Sequence, residues 1–166
     1  MTIIPVYNRV ITPHSDVFFQ TDHFRKITGK SPEKEEQVIF LFLKDNETWD
    51  KYEQDSFYPI GVSGVITEVN PNGFLVVKTA DRINISSLIV KGKFKMELAI
   101  SKREDIEDLE PQEEQKKFDE MRQAILDFVD GFQWGAIARG FIGRLNSIGD
   151  LTSAMSIWFA NPNEEK

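Results

Sequence analysis

At 166 residues, 40% of them hydrophobic and 13 of them phenylalanine, the chain fits one domain, or one domain with a small helical appendage, and can bury a sizeable core. The absence of cysteine excludes disulfides and thiolate metal sites, and no run reaches the ~18 apolar residues of a membrane span or the order of a signal peptide, so a cytoplasmic protein with no membrane partner is expected. A formal net charge of -7 works against a nucleic-acid partner, because phosphate binding needs a basic surface.

Ile3-Ile4-Pro5-Val6-Tyr7 is a short apolar run that its proline confines to an edge strand. A proline-containing crossover, Asn8 to Ser15, leads to a second strand, Asp16 to Gln20. Asp22 is placed as the N-cap of a short helix carrying Phe24 and Ile27 and ending at Gly29. After a polar stretch, Gln37 to Leu43 is nearly all apolar and of strand length, which predicts a central strand buried on both faces. Lys44 to Ser56 is a long polar loop that nevertheless contains Trp49 and Tyr52.

Tyr58 to Ile85 is the organising stretch. Two β-rich runs flank Asn70-Pro71-Asn72-Gly73, which supplies the proline-set and positive φ values of a tight hairpin connection. Ile60, Val62 and Ile66 alternate onto one face and Val65 and Val69 onto the other, so the hairpin is expected to be covered on both sides. Gly61 and Gly64 predict a bulge that lets the sheet curl towards a barrel. Two further strands, Ser87 to Val90 and Phe94 to Ile100, are joined through Lys91-Gly92-Lys93, the second with Phe94, Met96, Leu98 and Ile100 inward.

At Arg103 the character changes. The acidic run Glu104 to Glu110 leads to Pro111, suited to a first helical position, and the helix that follows carries a stripe of Phe118, Met121, Ile125, Phe128 and Phe132. Trp134, Ile137, Phe141, Leu145 and Ile148 keep helical spacing through a glycine-rich stretch, and Asp150 is placed as the cap of a last helix burying Leu151, Met155 and Trp158 and stopping at Asn161-Pro162. The expectation is an α+β chain, with a β-rich portion over 1–103 and a small α-helical bundle over 104–166.

Chemistry-bearing patterns are few. Thr28-Gly29-Lys30-Ser31 resembles the end of a phosphate loop, but Phe24 stands where that loop needs its first glycine and Pro32 follows where a helix must open. His14, Asp16, Asp22 and His23 match no metal-ligand spacing, and Ser63 has no identifiable base. No catalytic residue and no metal ligand is assigned, and the chain alone does not read as an enzyme. The apolar residues outside the periodic elements are more informative: Pro13 in the crossover, Trp49 and Tyr52 in the loop, and Pro71 at the hairpin tip.

Taken in order, these elements resemble the N-terminal domain of the Lon protease family. Ile4 to His14 is similar to its opening strand and proline crossover, Ile60-Gly61-Val62-Ser63-Gly64-Val65-Ile66 to its Val-Gly-Thr-Val-Ala-like strand, and Val76 to Ile85 to a strand ending in Arg-x-x-Ile, here Arg82-Ile83-Asn84-Ile85. Phe18, Asp22-His23 and Thr79 stand where the family usually has a proline, a Gly-Arg pair and a glycine. The resemblance implies a PUA-like β-barrel or sheet followed by a helical bundle, serving as the recognition and assembly domain of an ATP-dependent serine protease. In that reading the domain itself takes no cofactor. ATP and magnesium belong to the parent hexamer, and the partners are unfolded or damaged proteins. Neither ATPase nor peptidase motifs occur here, and relatives would continue into another helix where Lys166 stops, so an excised domain is expected. Pro13, Val17, Pro71 and Phe74, with Trp49 and Tyr52, are the expected substrate contacts. A stand-alone Lon-domain adaptor is the alternative, RNA binding is disfavoured by the charge, and an independent enzyme would need a metal or nucleotide stoichiometry.

Overall fold

The computed structural model describes residues 1–104 and 109–156. They fall into two compact units, residues 1–104 and residues 109–156. Among the described residues the architecture is α+β, a mixed six-stranded sheet with four helices.

The first unit contains strands β1 (Thr2–Val6), β2 (Asp16–Gln20), β3 (Gln37–Leu43), β4 (Phe57–Asn70), β5 (Phe74–Gly92) and β6 (Lys95–Lys102), and helix α1 (Thr21–Thr28). The path runs β1-β3-β4-β5-β2, with β6 also on β5; β1 is parallel to β3 and every other pair is antiparallel. Pro5 is tolerated because β1 ends the path and pairs on one side only. The central strand expected over 37–43 is present, and its alternation feeds two cores: Val38 and Phe40 join one cluster, Ile39, Leu41 and Leu43 the other.

The β4–β5 hairpin turns at Asn70 to Gly73. Gly73 takes φ 89° and its N–H donates to Asn70 O at 3.1 Å, while the Asn72 N–H donates to Asn70 Oδ1 at 2.8 Å. The register shifts between Val62 and Gly64 and again between Ile66 and Glu68, so the arm is bulged where the glycines predicted. Val62 and Ile66 are buried, but Val65 and Val69 are each more than a third exposed, so the second face is covered at the hairpin's base and open towards its tip.

Strand β5 does not stop near Ile85. It continues unbroken for 19 residues to Gly92, because Ile83 to Gly92 pairs with β6 and the polar Ser86 hydroxyl is spent on Ala99 O at 3.0 Å. One edge of β5 therefore carries β4, and the other carries β2 over its first residues and β6 over its last. Thr79 sits in the seam between β2 and β6, 2% exposed. Its N–H donates to Ser15 O at 2.9 Å; its hydroxyl accepts the Ser15 N–H at 2.8 Å and lies 2.6 Å from Thr12 O, clamping the crossover to the sheet. Of the β6 residues read as inward, Met96 and Leu98 pack on the second core, whereas Ile100 is 39% exposed and Phe94 lies in the β5–β6 turn.

No ladder joins β1 to β2 among the described pairings. Side chains bridge them: Phe24 of α1 packs in one cluster with Ile4, Val6, Val17 and Phe19, and the Arg9 guanidinium donates to Phe18 O at 3.1 Å while lying 4.8 Å from the centre of the Phe19 ring. Helix α1 starts two residues earlier than an Asp22 cap would place it. Gln20 occupies the N-cap without a side-chain bond, Asp22 lies inside the first turn, and the Thr21 N–H is instead taken by Gly73 O at 2.8 Å.

The second unit holds α2 (Pro111–Val129), α3 (Gly135–Ile142) and α4 (Ile148–Ser156) around Phe118, Ile125, Val129, Ala138, Ile142 and Leu151. Pro111 opens α2 as read. Two faces differ from the reading. The buried stripe of α2 ends on Val129, leaving Phe128 and Phe132 exposed, and α3 buries Ala138 and Ile142 while Trp134, Ile137 and Phe141 face outward. Ser147, not Asp150, caps α4, its hydroxyl accepting the Asp150 N–H at 3.0 Å. Trp158, Asn161 and Pro162 lie outside the described residues.

Replacing Thr79 by valine keeps the shape and removes the clamp, leaving the half-buried Ser15 N–H without its acceptor. Urea unfolding should show a loss of about 2 kcal/mol for Thr79→Val and a smaller one for Thr79→Ser; equal losses would contradict the clamp.

Candidate functional site

The loop 44–56 is held by its own polar groups. Trp49–Lys51 and Gln54–Ser56 form single 3-10 turns, and Glu53 with Ser56 makes a capping box around the second. The Ser56 hydroxyl donates to Glu47 at 2.6 Å, and Lys44 N–H donates to Ser56 O at 3.0 Å. Thus pinned, the loop presents Trp49 and Tyr52 on one side. Tyr52 packs edge-on against the buried Phe57 with ring centres 5.2 Å apart, and burial together with the Glu47 charge pushes its hydroxyl pKa up, so it stays a neutral donor.

A cleft of about 240 Å³ opens beneath this loop. Ile3 and Pro5 of β1, Ile27 of α1, Trp49, Tyr52, Phe94 and Met96 form its apolar wall, and Lys26, Glu47 and Thr48 are its polar members. The volume lies below the ~300–1,000 Å³ usual for small-molecule and cofactor sites. It suits one or two side chains of another polypeptide.

Phe94 is the least expected member. Its φ of 65° is a conformation that a bulky residue adopts at a cost of about 1 kcal/mol or more. What holds it there is Gly29, the left-handed C-cap of α1 at φ 75°: a Cβ on Gly29 would lie 2.4 Å from Phe94 Cδ2, so the ring is seated on the bare helix end. The tetrapeptide that resembles a phosphate loop therefore closes a helix and receives an aromatic ring.

Of the residues expected to contact substrate, the structure brings Trp49 and Tyr52 together in the cleft. Pro71 is exposed at the hairpin tip and Phe74 is half-buried beside it. The crossover pair is corrected: Val17 is 6% exposed and faces the first core, and Pro13 is buried under the crossover that Thr79 clamps, so neither offers a free surface. Ile3, Pro5, Ile27, Phe94 and Met96 escaped the reading because each belongs to a periodic element and was counted towards a core. Helix α1 links the two exposed regions. It starts on Gly73 of the tip and ends at Gly29 beside the cleft, a length of about 12 Å at 1.5 Å per residue.

The helical unit has its own exposed apolar surface. Phe128, Phe132 and Trp134 form a ladder, with ring centres 5.2 Å and 4.9 Å apart, and Ile137 is 80% exposed. Among the described residues no three His, Asp or Glu side chains converge to hold a metal, and no helix is long and apolar enough to cross a membrane.

Among solved structures, the N-terminal domain of the Mycobacterium avium complex Lon protease aligns with a TM-score of 0.59 at 13% identity, over 98% of this chain and 82% of that one. A Lon N-terminal domain protein from Xanthomonas campestris aligns with a TM-score of 0.44 at 15% identity, over 75% of this chain and 69% of that one. No family model matches the sequence, and neither does any curated protein. At this identity the first likeness is one of fold: the chain has the fold of a Lon N-terminal domain.

Gly29→Ala should cost about 2 kcal/mol in urea unfolding, combining the left-handed backbone penalty with displacement of the Phe94 ring. In a Phe94→Ala background the cost should fall to about 1 kcal/mol, the backbone share. Equal costs in both backgrounds would mean that the ring is not seated on the helix end.

Proposed function

We propose that this chain is the substrate-recognition and assembly domain of an ATP-dependent Lon-type serine protease, holding unfolded or damaged polypeptide by taking apolar side chains into the Trp49–Tyr52–Phe94 cleft. The observation that carries the reading is the cleft itself: an apolar recess smaller than the usual cofactor site, walled by Trp49 of the loop and Phe94 of the β5–β6 turn against β1 and the end of α1. The fold likeness supports it. In this reading the sheet is the family's PUA-like barrel portion, recognition belongs to 1–103, and the exposed aromatic face of 104–166 serves association in a parent hexamer. ATP, magnesium and the peptidase residues belong to that parent, which works in the cytoplasm.

Pro71 and Phe74 form a second, weaker contact. An extended segment of about four residues covers the 12 Å of α1 between tip and cleft, at ~3.3 Å per residue. One such contact is weak, and a hexamer multiplies it through effective concentration. Folded proteins keep their apolar side chains inside, so a recess of this size discriminates by exposure of side chains rather than by sequence.

The test is fluorescence anisotropy of a labelled, permanently unfolded protein titrated with the chain. The double variant Trp49→Ser/Phe94→Gly removes two walls and relieves a positive φ, so it should remain folded by circular dichroism and bind about tenfold more weakly. Undiminished binding by the folded variant would overturn the site.

A further inference from the structure

Just before β3, Glu36 carries a side chain that is only 10% exposed. Its Oε1 accepts from two directions, the Lys30 ammonium and the Thr2 hydroxyl, and its Oε2 is buried with no partner among the described residues. The backbone around it is fixed to the sheet: the Glu35 N–H donates to Ile66 O at 2.8 Å, and the Ile66 N–H donates to Glu36 O at 2.9 Å. Glu35 takes φ 68°, a left-handed conformation that a residue with a side chain keeps only where its surroundings enforce it. The carboxylate is thus aimed inward from a rigid support.

Both of its partners stand next to walls of the cleft. Lys30 follows Gly29, the helix end on which the Phe94 ring is seated, and Thr2 precedes Ile3 of β1. Resting on the recognition reading above, we propose that Glu36 is a positioning residue for the cleft: its carboxylate ties the end of α1 to the start of β1, and so sets the gap between the Ile27–Phe94 wall and the Ile3–Pro5 wall. Strand β1 is held independently by its ladder with β3, so the end of α1 is the part that the tie fixes. A neutral amide at position 36 cannot hold the ammonium with the same force, and its NH2 would point a donor into a buried site. Burial pushes the Glu36 carboxyl up, but Lys30, the Thr2 hydroxyl and the Met1 amine outweigh it and hold it below the usual carboxylate range. The tie is therefore intact above that range and is lost as pH falls through the lowered value.

The experiment compares the wild-type chain with Glu36→Gln, Lys30→Met and the conservative Lys30→Arg. In the free proteins, the nuclear Overhauser contact between the Gly29 α-protons and the Phe94 ring reports the wall, and that between the Phe19 and Phe40 rings, whose centres lie 5.7 Å apart, reports the core. Glu36→Gln and Lys30→Met should weaken the first contact about twofold or more and leave the second unchanged, and both should bind a labelled, permanently unfolded protein about fivefold more weakly. Lys30→Arg should match the wild type in all three measurements. In the wild type the Gly29–Phe94 contact should fade as pH falls below the usual carboxylate range, and in Glu36→Gln it should not change over that interval. An unchanged Gly29–Phe94 contact in both Glu36→Gln and Lys30→Met would overturn the proposal, and so would joint loss of the two contacts, which would make Glu36 a support of the core. A wild type that binds no unfolded protein would overturn the recognition reading, while the contacts in the free proteins still decide what Glu36 positions.

Discussion

Strand β5 must satisfy its backbone along 19 residues, and the rest of the first unit is arranged by that demand. Strand β4 pairs along one edge, and no single strand covers the other: β2 takes the first residues, β6 the last, and the seam between them is filled by Thr79. Because the crossover that precedes β2 is bonded into the seam, the N-terminal segment is locked to a residue more than sixty positions away. The other end of β5 has a different consequence. Its turn into β6 throws Phe94 back onto Gly29, and the end of α1 becomes a wall of the cleft.

Sheet and cleft are thus one construction. The alternation of β3 divides the apolar residues between two cores, and the second core is incompletely roofed where Ile3, Tyr52 and Met96 are only partly buried. That opening is the recess. Its walls come from strands, a helix end and a loop pinned by Glu47 and Ser56, so little ordering cost falls on the protein when a segment binds. A strained Phe94 is the local expense, and Gly29 offsets it by admitting the ring.

Features set by local chemistry were legible in the sequence. Asn70-Pro71-Asn72-Gly73 specifies its turn from four residues, Gln37 to Leu43 announces a strand buried on both faces, and Pro111 marks a helix start. Features set by tertiary phase were not. Periodicity gives the spacing of α3 but not which face is inside: Ala138 and Ile142 pack while Trp134, Ile137 and Phe141 stay exposed, and Gly135 meets the Val129 carbonyl so closely that a Cβ there would lie 2.3 Å from it. Asn84 to Ser87 reads as a break in β5 because its polar side chains hide the backbone pairing that carries the strand through. At the site, Trp49 and Tyr52 stood out as aromatics in a polar loop. Val17 and Pro13 did not reveal their burial, since it is set by contacts distant in the chain: Val17 packs in the first core, and the crossover that holds Pro13 is bonded to Thr79.

The central claim is the location of the recognition surface, and amide chemical-shift mapping tests it most directly. A 15N-labelled chain titrated with an unlabelled, permanently unfolded protein should show its largest shifts at Ile3, Ile27, Trp49, Tyr52, Phe94 and Met96, with smaller ones at Phe74. Shifts confined to the Phe128–Phe141 face of the helical unit, with the cleft amides unmoved, would contradict the account.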